Sequence, residues 1–234
     1  MTKGISVKKR NGRGVEPLDL EKIHKMVEDA CTGVTGVSAS QVEIQSGIQF
    51  YDGITTAEIQ DILIKSASDL ITLDNPNYQY VAARLLLFAT RKSLYGRSRD
   101  LPPLEDHIMN CTNIDVYDKE IFGKYSKEEI EKADSYIDHE RDFLFTYAGL
   151  RQVVDKYLVQ DRSTGKVYET PQFMYMMIAL TIFSNYPKET RLNYVRRYYD
   201  AISRHKLNIP TPIMAGVRTP IRQFASCVLV DIDD

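Results

Sequence analysis

The most constraining stretch of this chain is its last β-rich apolar run, Phe224 to Val230, which holds Cys227 and follows a loop punctuated from Pro210 to Pro220 by proline and glycine. A strand must pair its backbone N–H and C=O groups. The preceding residues offer few strands for it, and acidic residues close the chain at Asp234. The run is therefore expected to be the first strand of a larger unit whose remaining strands come from elsewhere.

With 234 residues the chain is long enough for two domains. A net charge of −2 gives no general attraction to nucleic acid or anionic membrane. No apolar run reaches the roughly 20 residues of a membrane span, and Met1–Arg10 lacks the apolar core of a signal peptide. Cys31, Cys111 and Cys227 are odd in number and far apart, which favours a reducing, cytoplasmic setting over a disulfide scaffold. His24, His107, His139 and His205 are scattered, and no cysteine–histidine cluster predicts a metal site.

Residues 5–18 read as a hairpin, with Asn11-Gly12 and Gly14 at its turn. Asp19 caps a helix whose apolar stripe is Leu20, Ile23, Met26, Val27 and Ala30, closed by Thr32-Gly33. A second helix begins at Ser38 or Ser40 and uses Val42, Ile44, Ile48 and Phe50; Tyr51-Asp52-Gly53 breaks it. Thr55 or Thr56 caps a third, with Glu58 near its start and a stripe from Ile59 to Ile71. A fourth runs from about Tyr78 to Tyr95 and ends on Gly96. The chain is thus mainly α, beginning with a hairpin and about four helices over 1–96.

A polar link at Ser98–Pro103 separates this from a helical region, 97–209. There Ser126 to Glu129 forms a capping box, and Phe145–Tyr157 reads as one helix. Asp161–Gly165 turns between short strands near Leu158-Val159 and Val167-Tyr168. Gln172–Asn185 is apolar enough for a buried helix, and Pro187 starts another that reaches about His205.

Lys8, Lys9, Arg10 and Arg13 beside a glycine turn suit a phosphate, with Lys22, Lys65, Arg91 and Lys92 on neighbouring helices. Taken alone, basic residues on a hairpin are more often solvated surface than a ligand site. Glu16 to Lys22 serves equally as helix capping.

Three segments carry a family resemblance in the first region: Val7-Lys-Lys-Arg-Asn-Gly12 with the following Leu-Glu-Lys-Ile helix start, Tyr51-Asp-Gly-Ile-Thr-Thr56, and Tyr78-Gln-Tyr-Val-Ala-Ala-Arg-Leu85. They resemble the ATP-cone, the regulatory nucleotide-binding module of ribonucleotide reductase large subunits. Tyr157-Leu-Val-Gln, Glu169-Thr-Pro-Gln-Phe, Phe183-Ser-Asn-Tyr and Pro210-Thr-Pro-Ile-Met-Ala-Gly-Val-Arg-Thr-Pro extend the resemblance over the whole chain, to the class Ia large (alpha) subunit of enterobacteria and their large phages.

That resemblance implies an ATP/dATP effector site, the nucleotide accompanied by Mg2+, formed by Lys9, Glu16, Pro17, Leu18, Asp19, Leu20, Glu21, Lys22, Thr56 and Lys92. Lys9 and Lys92 would contact phosphate, Glu16 to Lys22 the base and sugar. Gln60 and Ala89 stand where relatives often carry histidines, a departure that bears on dATP inhibition. Residues 210–234 would open the catalytic α/β barrel. Thr211 would contact the substrate diphosphate, although between two prolines it equally holds a turn. Ser226 would line the substrate site. Cys227 would be one of two cysteines that reduce the ribose and become a disulfide, where a strand cysteine is otherwise a small buried hydrophobe.

The implied reaction is radical reduction of ribonucleoside diphosphates to deoxyribonucleotides. The implied partners are the rest of the large subunit, a small (beta) subunit carrying the radical cofactor, and thioredoxin or glutaredoxin. No metal cofactor is expected within this chain, and nucleotide-dependent oligomers are. The alternative is a stand-alone ATP-cone module that binds nucleotide and does no chemistry.

Overall fold

The computed structural model describes residues 5–9 and 14–230. Asn11, Gly12, Arg10, Arg13 and Asp234 lie outside the described residues, as does the predicted turn of the hairpin. The described chain divides into two compact units.

The first unit comprises residues up to Arg99 together with Phe143–Arg151. Strands β1 (Ser6–Lys8) and β2 (Val15–Pro17) form the predicted hairpin, with Val7 opposite Glu16. A third strand, β3 (Ile54–Thr55), pairs in parallel with β1, so the sheet order is β2-β1-β3. The third strand is too short to announce itself in the sequence. The Tyr51-Asp52-Gly53 break leads into it: Gly53 takes a positive φ of 83° and its N–H donates to the Ser6 carbonyl at 2.9 Å.

Four helices complete the core: α1 (Leu20–Cys31), α2 (Ala39–Gly47), α3 (Thr56–Asp69) and α4 (Tyr78–Tyr95). Their ends follow from local chemistry. The Asp19 carboxylate accepts from the Glu21 and Lys22 amides, and Thr55 with Glu58 makes a reciprocal capping box. Gly96 closes α4 in the left-handed region at φ 72°. Val27, Leu63, Ala67, Val81, Ala82 and Leu85 are buried as their spacing predicts. Leu20, Ile44 and Ile48 are exposed instead. Leu20 is the first residue of α1, and Ile48 is already the C-cap of the nine-residue α2.

Arg84 on α4 donates to the carbonyls of Ala30 at 3.1 Å and Thr32 at 2.6 Å, satisfying groups that the end of α1 leaves open. Its guanidinium carbon also lies 5.0 Å from the ring centroid of Phe143, and that of Arg91 lies 5.8 Å from it.

The second unit comprises Asp100–Asp142 and the chain from Gln152 onward. Its first helices are α5 (Leu104–Asn113), α6 (Lys119–Lys124) and α7 (Lys127–Asp134), the last capped by Ser126 and Glu129 as predicted. The segment expected as one helix over 145–157 is two shorter pieces that follow a 3-10 turn (His139–Leu144): α8 (Tyr147–Gln152), which lies in the first unit up to Arg151, and a π turn (Val153–Tyr157). The predicted turn at Asp161–Gly165 joins β4 (Gln160–Asp161) to β5 (Lys166–Val167). Helix α9 (Pro171–Ile182) is buried almost end to end, and α10 (Lys188–Ser203) covers it.

The Pro210–Pro220 loop contains a short helix, α11 (Thr211–Gly216). Beyond it, Phe224–Val230 forms no ladder, and Val228, Leu229 and Val230 are exposed. Its residues favour a strand, but none of the described strands pairs with it.

Candidate functional site

Strand β2 hands the chain to α1 across Glu16–Asp19, and this crossing forms one wall of a cleft. Leu18 N–H donates to the Ile5 carbonyl at 2.9 Å, which fixes the exit of the hairpin. The cleft is lined by Val7, Glu16, Pro17, Leu18, Asp19 and Lys22 from the hairpin and the start of α1. Ile23 and Met26 continue along α1, while Thr56, Ile59 and Gln60 come from α3 and Lys92 from α4. Its inner space is about 140 Å³. A whole-ligand pocket commonly measures about 300–1,000 Å³. The enclosed part therefore has room for one moiety of a ligand, and a larger one would extend onto the open shelf made by Glu16 to Lys22.

The fold brings together residues far apart in sequence. Thr56 is the first residue of α3, set by the Thr55 cap, and Lys92 occupies the last turn of α4. Leu20 and Glu21 line the outer shelf. Lys9 follows β1 directly, and its Nζ lies 2.8 Å from Glu16 Oε2. Lys65 instead pairs with Asp69 at 2.6 Å, and Arg91 is buried; neither lines the cleft. Val7, Ile23, Met26 and Ile59 were legible only as core positions. Gln60 is buried at the inner wall, its amide nitrogen 4.0 Å from Met26 Sδ.

The electrostatics are paired. The Lys9 hydrogen bond holds the Glu16 carboxyl below the usual range, and Lys22 does the same for Asp19. Lys22 itself is raised by Asp19. Beside the cleft, the Thr55 hydroxyl and amide and the Tyr51 hydroxyl draw Glu58 down to about 2. Because Asp19 occupies the Glu21 and Lys22 amides, an anion here is met chiefly by lysine ammonium groups, not by the helix terminus. The cleft combines an apolar interior with cations and carboxylate acceptors at its rim. A planar ring with an anionic tail fits that arrangement.

The other predicted residues, Thr211, Ser226 and Cys227, lie in the second unit. Thr211 is the exposed first residue of α11. Ser226 and Cys227 are exposed on the terminal segment, Ser226 Oγ 3.7 Å from Cys227 Sγ. A buried polar cluster anchors α11. Arg218 Nε donates to Glu169 Oε2 at 2.8 Å, and Arg218 Nη1 to the Met214 carbonyl at 2.5 Å. Tyr117 donates to Glu169 at 2.5 Å, and His107 Nε2 lies 2.9 Å from the Tyr117 oxygen. Since that hydroxyl hydrogen serves Glu169, the imidazole must donate. Burial drives His107 down to about 4 and Cys111 up to about 12. Among the described residues no group of histidine, cysteine, aspartate or glutamate could hold a metal ion, and no helix is long and apolar enough to cross a membrane.

Residues 5–93 match the ATP cone domain, and residues 143–222 match the all-alpha domain of ribonucleotide reductase. Ribonucleoside-diphosphate reductase subunit alpha of Haemophilus influenzae is 50% identical over 234 residues, all of this chain and 31% of that protein. Ribonucleoside-diphosphate reductase 1 subunit alpha of Escherichia coli is also 50% identical over 234 residues, 30% of its length. The subunit alpha of Enterobacteria phage T4 is 45% identical over 232 residues, 98% of this chain and 30% of the phage protein. The chain thus spans under a third of the length of these relatives. The cone and the all-alpha domain are thus matched in order, and identity runs through both, so the chain matches the N-terminal portion of ribonucleotide reductase alpha subunits.

Proposed function

We propose that this chain is the effector-sensing and substrate-side portion of a class Ia ribonucleoside-diphosphate reductase alpha subunit. Residues 1–96 form the cone, 97–209 the helical domain and 210–234 the opening of the catalytic barrel. ATP or dATP binds in the cleft, with Mg2+ on the phosphates. The base and sugar lie against Glu16, Pro17, Leu18, Asp19, Leu20, Glu21 and Lys22, Thr56 sits beside them, and Lys9 and Lys92 meet the phosphates.

The observation that carries this reading is the convergence of Glu16–Asp19, Lys22, Thr56 and Lys92 on one cleft whose apolar interior is rimmed by lysines and carboxylates. The reading of a stand-alone sensor accounts for the cone but not for the match over 143–222.

In the reaction, Thr211 and Ser226 hold the ribonucleoside diphosphate. Cys227 supplies one of two thiols whose oxidation to a disulfide delivers two electrons as the ribose hydroxyl leaves as water. Thioredoxin or glutaredoxin resets the pair. The remaining barrel and a beta subunit bearing the radical cofactor complete the enzyme, which works in the cytoplasm as a nucleotide-dependent oligomer.

Calorimetric titration with ATP and dATP tests the effector site. Saturable binding is expected, and Lys92→Met should weaken it by about 1.5–3 kcal/mol, the scale of a charged hydrogen bond. Wild-type protein that is folded yet binds neither nucleotide refutes the reading. Reconstitution with a polypeptide carrying the missing region and the beta subunit tests the chemistry: CDP reduction should appear and be abolished by Cys227→Ser.

A further inference from the structure

We propose that Glu16 holds the Lys9 ammonium in the ligand-free cleft and yields it to an entering nucleoside triphosphate, so that the cleft favours a nucleotide over a bare polyphosphate. This rests on the nucleotide-site reading above and adds to it the basis of ligand selection.

Glu16 lines both the inner cleft and the outer shelf, whereas Lys9 lines neither. The Lys9 ammonium reaches the rim through its carboxylate partner, 2.8 Å away. Lys22 is held in the same manner by Asp19, at 3.0 Å. Each cation available to a phosphate from this wall is thus already engaged by a carboxylate. The Lys9–Glu16 pair is open to solvent, its side chains 43% and 41% exposed. An exposed pair of this kind is weak and exchanges readily.

The two ligand classes meet different costs. A bare polyphosphate captures Lys9 but leaves the Glu16 carboxylate without its cation and facing like charge. A nucleoside triphosphate captures Lys9 with its phosphates and also brings N–H and O–H donors, on the base and the ribose, that a carboxylate accepts. Glu16 then changes partners instead of losing one. The hairpin register supports the exchange: Glu16 lies opposite Val7, a buried residue of the cleft wall, so its side chain is anchored beside the enclosed space.

The test is calorimetric titration of the 234-residue chain with ATP and with inorganic tripolyphosphate, in magnesium-free buffer at fixed ionic strength. The proteins are wild type, Glu16→Gln, Lys9→Met and the double variant. Glu16→Gln should bind tripolyphosphate about two- to fivefold more tightly than wild type, the worth of an exposed ion pair. The gain should vanish when Lys9 is methionine, and the preference for ATP over tripolyphosphate should shrink by at least the same factor. A gain of equal size with and without Lys9 overturns the exchange, because it reports only removal of a nearby negative charge. Tripolyphosphate binding by Glu16→Gln no tighter than by wild type, measurable or not, overturns it too. Loss of ATP binding in the wild type would overturn the nucleotide site itself, and the exchange with it.

Discussion

Arg218 and Glu169, separated by 49 positions in the sequence, meet with neither side chain exposed to solvent. The guanidinium also donates to the Tyr157 carbonyl at 3.1 Å and to that of Met214. The carboxylate accepts from the Val159 amide at 2.7 Å and from Tyr117. The pair thereby fastens α11, which carries Thr211, to the body of its unit. Replacing only one partner leaves a buried charge uncompensated, at a cost of about 3–5 kcal/mol. Arg218→Met should lose stability on that scale in urea denaturation. Arg218→Met with Glu169→Gln should recover part of it, since no charge then stays buried. A single variant as stable as wild type would contradict this account.

His107 gives the same cluster a pH dependence. Its imidazole stacks on Phe173 with ring centroids 4.2 Å apart, and burial lowers it from 6.5 to about 4. Its folded value lies below its unfolded one, so the unfolded chain binds the proton first. The stabilising contribution is therefore complete above pH 6.5 and is lost as pH falls toward 4. A shift of that size corresponds to about 3 kcal/mol. His107→Gln keeps a donor for Tyr117 without the titration. The stability difference between wild type and this variant should shift against wild type by about that amount from pH 7 to 4. A difference that stays flat across the range would remove His107 as the cause.

Much of the first unit was readable because its helix ends are written in single residues. Asp19, Thr55 and Gly96 each satisfy a terminal backbone group or permit a left-handed turn; Asp19 and Gly96 are where the sequence puts them, and Thr55 is one of the two caps it offers for α3. Strand β3 was hidden because two residues carry no periodicity and its partner β1 lies far upstream. The π turn was hidden because a change of hydrogen-bond spacing leaves no mark in composition. The contiguous stretch Glu16–Lys22 was not legible as a site from local sequence, where it serves equally as helix capping, and was named through the family resemblance. Thr56 and Lys92 came from the family resemblance, which also singled out Gln60, and Ile59 joined the cleft only through the tertiary placement of α3. Phe224–Val230 shows the opposite case, since its propensity for a strand meets no partner among the described strands.

The Thr55 cap links helix stability to the cleft. Its hydroxyl accepts from the Glu58 amide at 3.2 Å and donates to the Glu58 carboxylate at 2.7 Å. The next residue, Thr56, faces the cleft. Thr55→Ala should destabilise the protein by about 1 kcal/mol, and ATP titration should show weaker binding as the first turn of α3 frays. Thr55→Ser should keep both properties. If alanine alters neither the melting temperature nor the affinity, the cap does not position Thr56.

The three cysteines should differ sharply in reactivity. Cys111 is buried, and its thiol, pushed up to about 12, carries a thiolate fraction on the order of 10⁻⁴ at pH 8. Cys31 is half-buried, and desolvation raises its thiol as well. Cys227 is exposed on the terminal segment beside Ser226. Alkylation with iodoacetamide at pH 8, followed by peptide mass mapping, should therefore label Cys227 first, Cys31 later and Cys111 only on denaturation. Cys227→Ser should abolish the fast phase and leave the others unchanged. A thiol offered to both a substrate and an external reductant must be reachable in this way. Protection of Cys227 equal to that of Cys111 would be incompatible with the exposed terminal segment and with its proposed redox role.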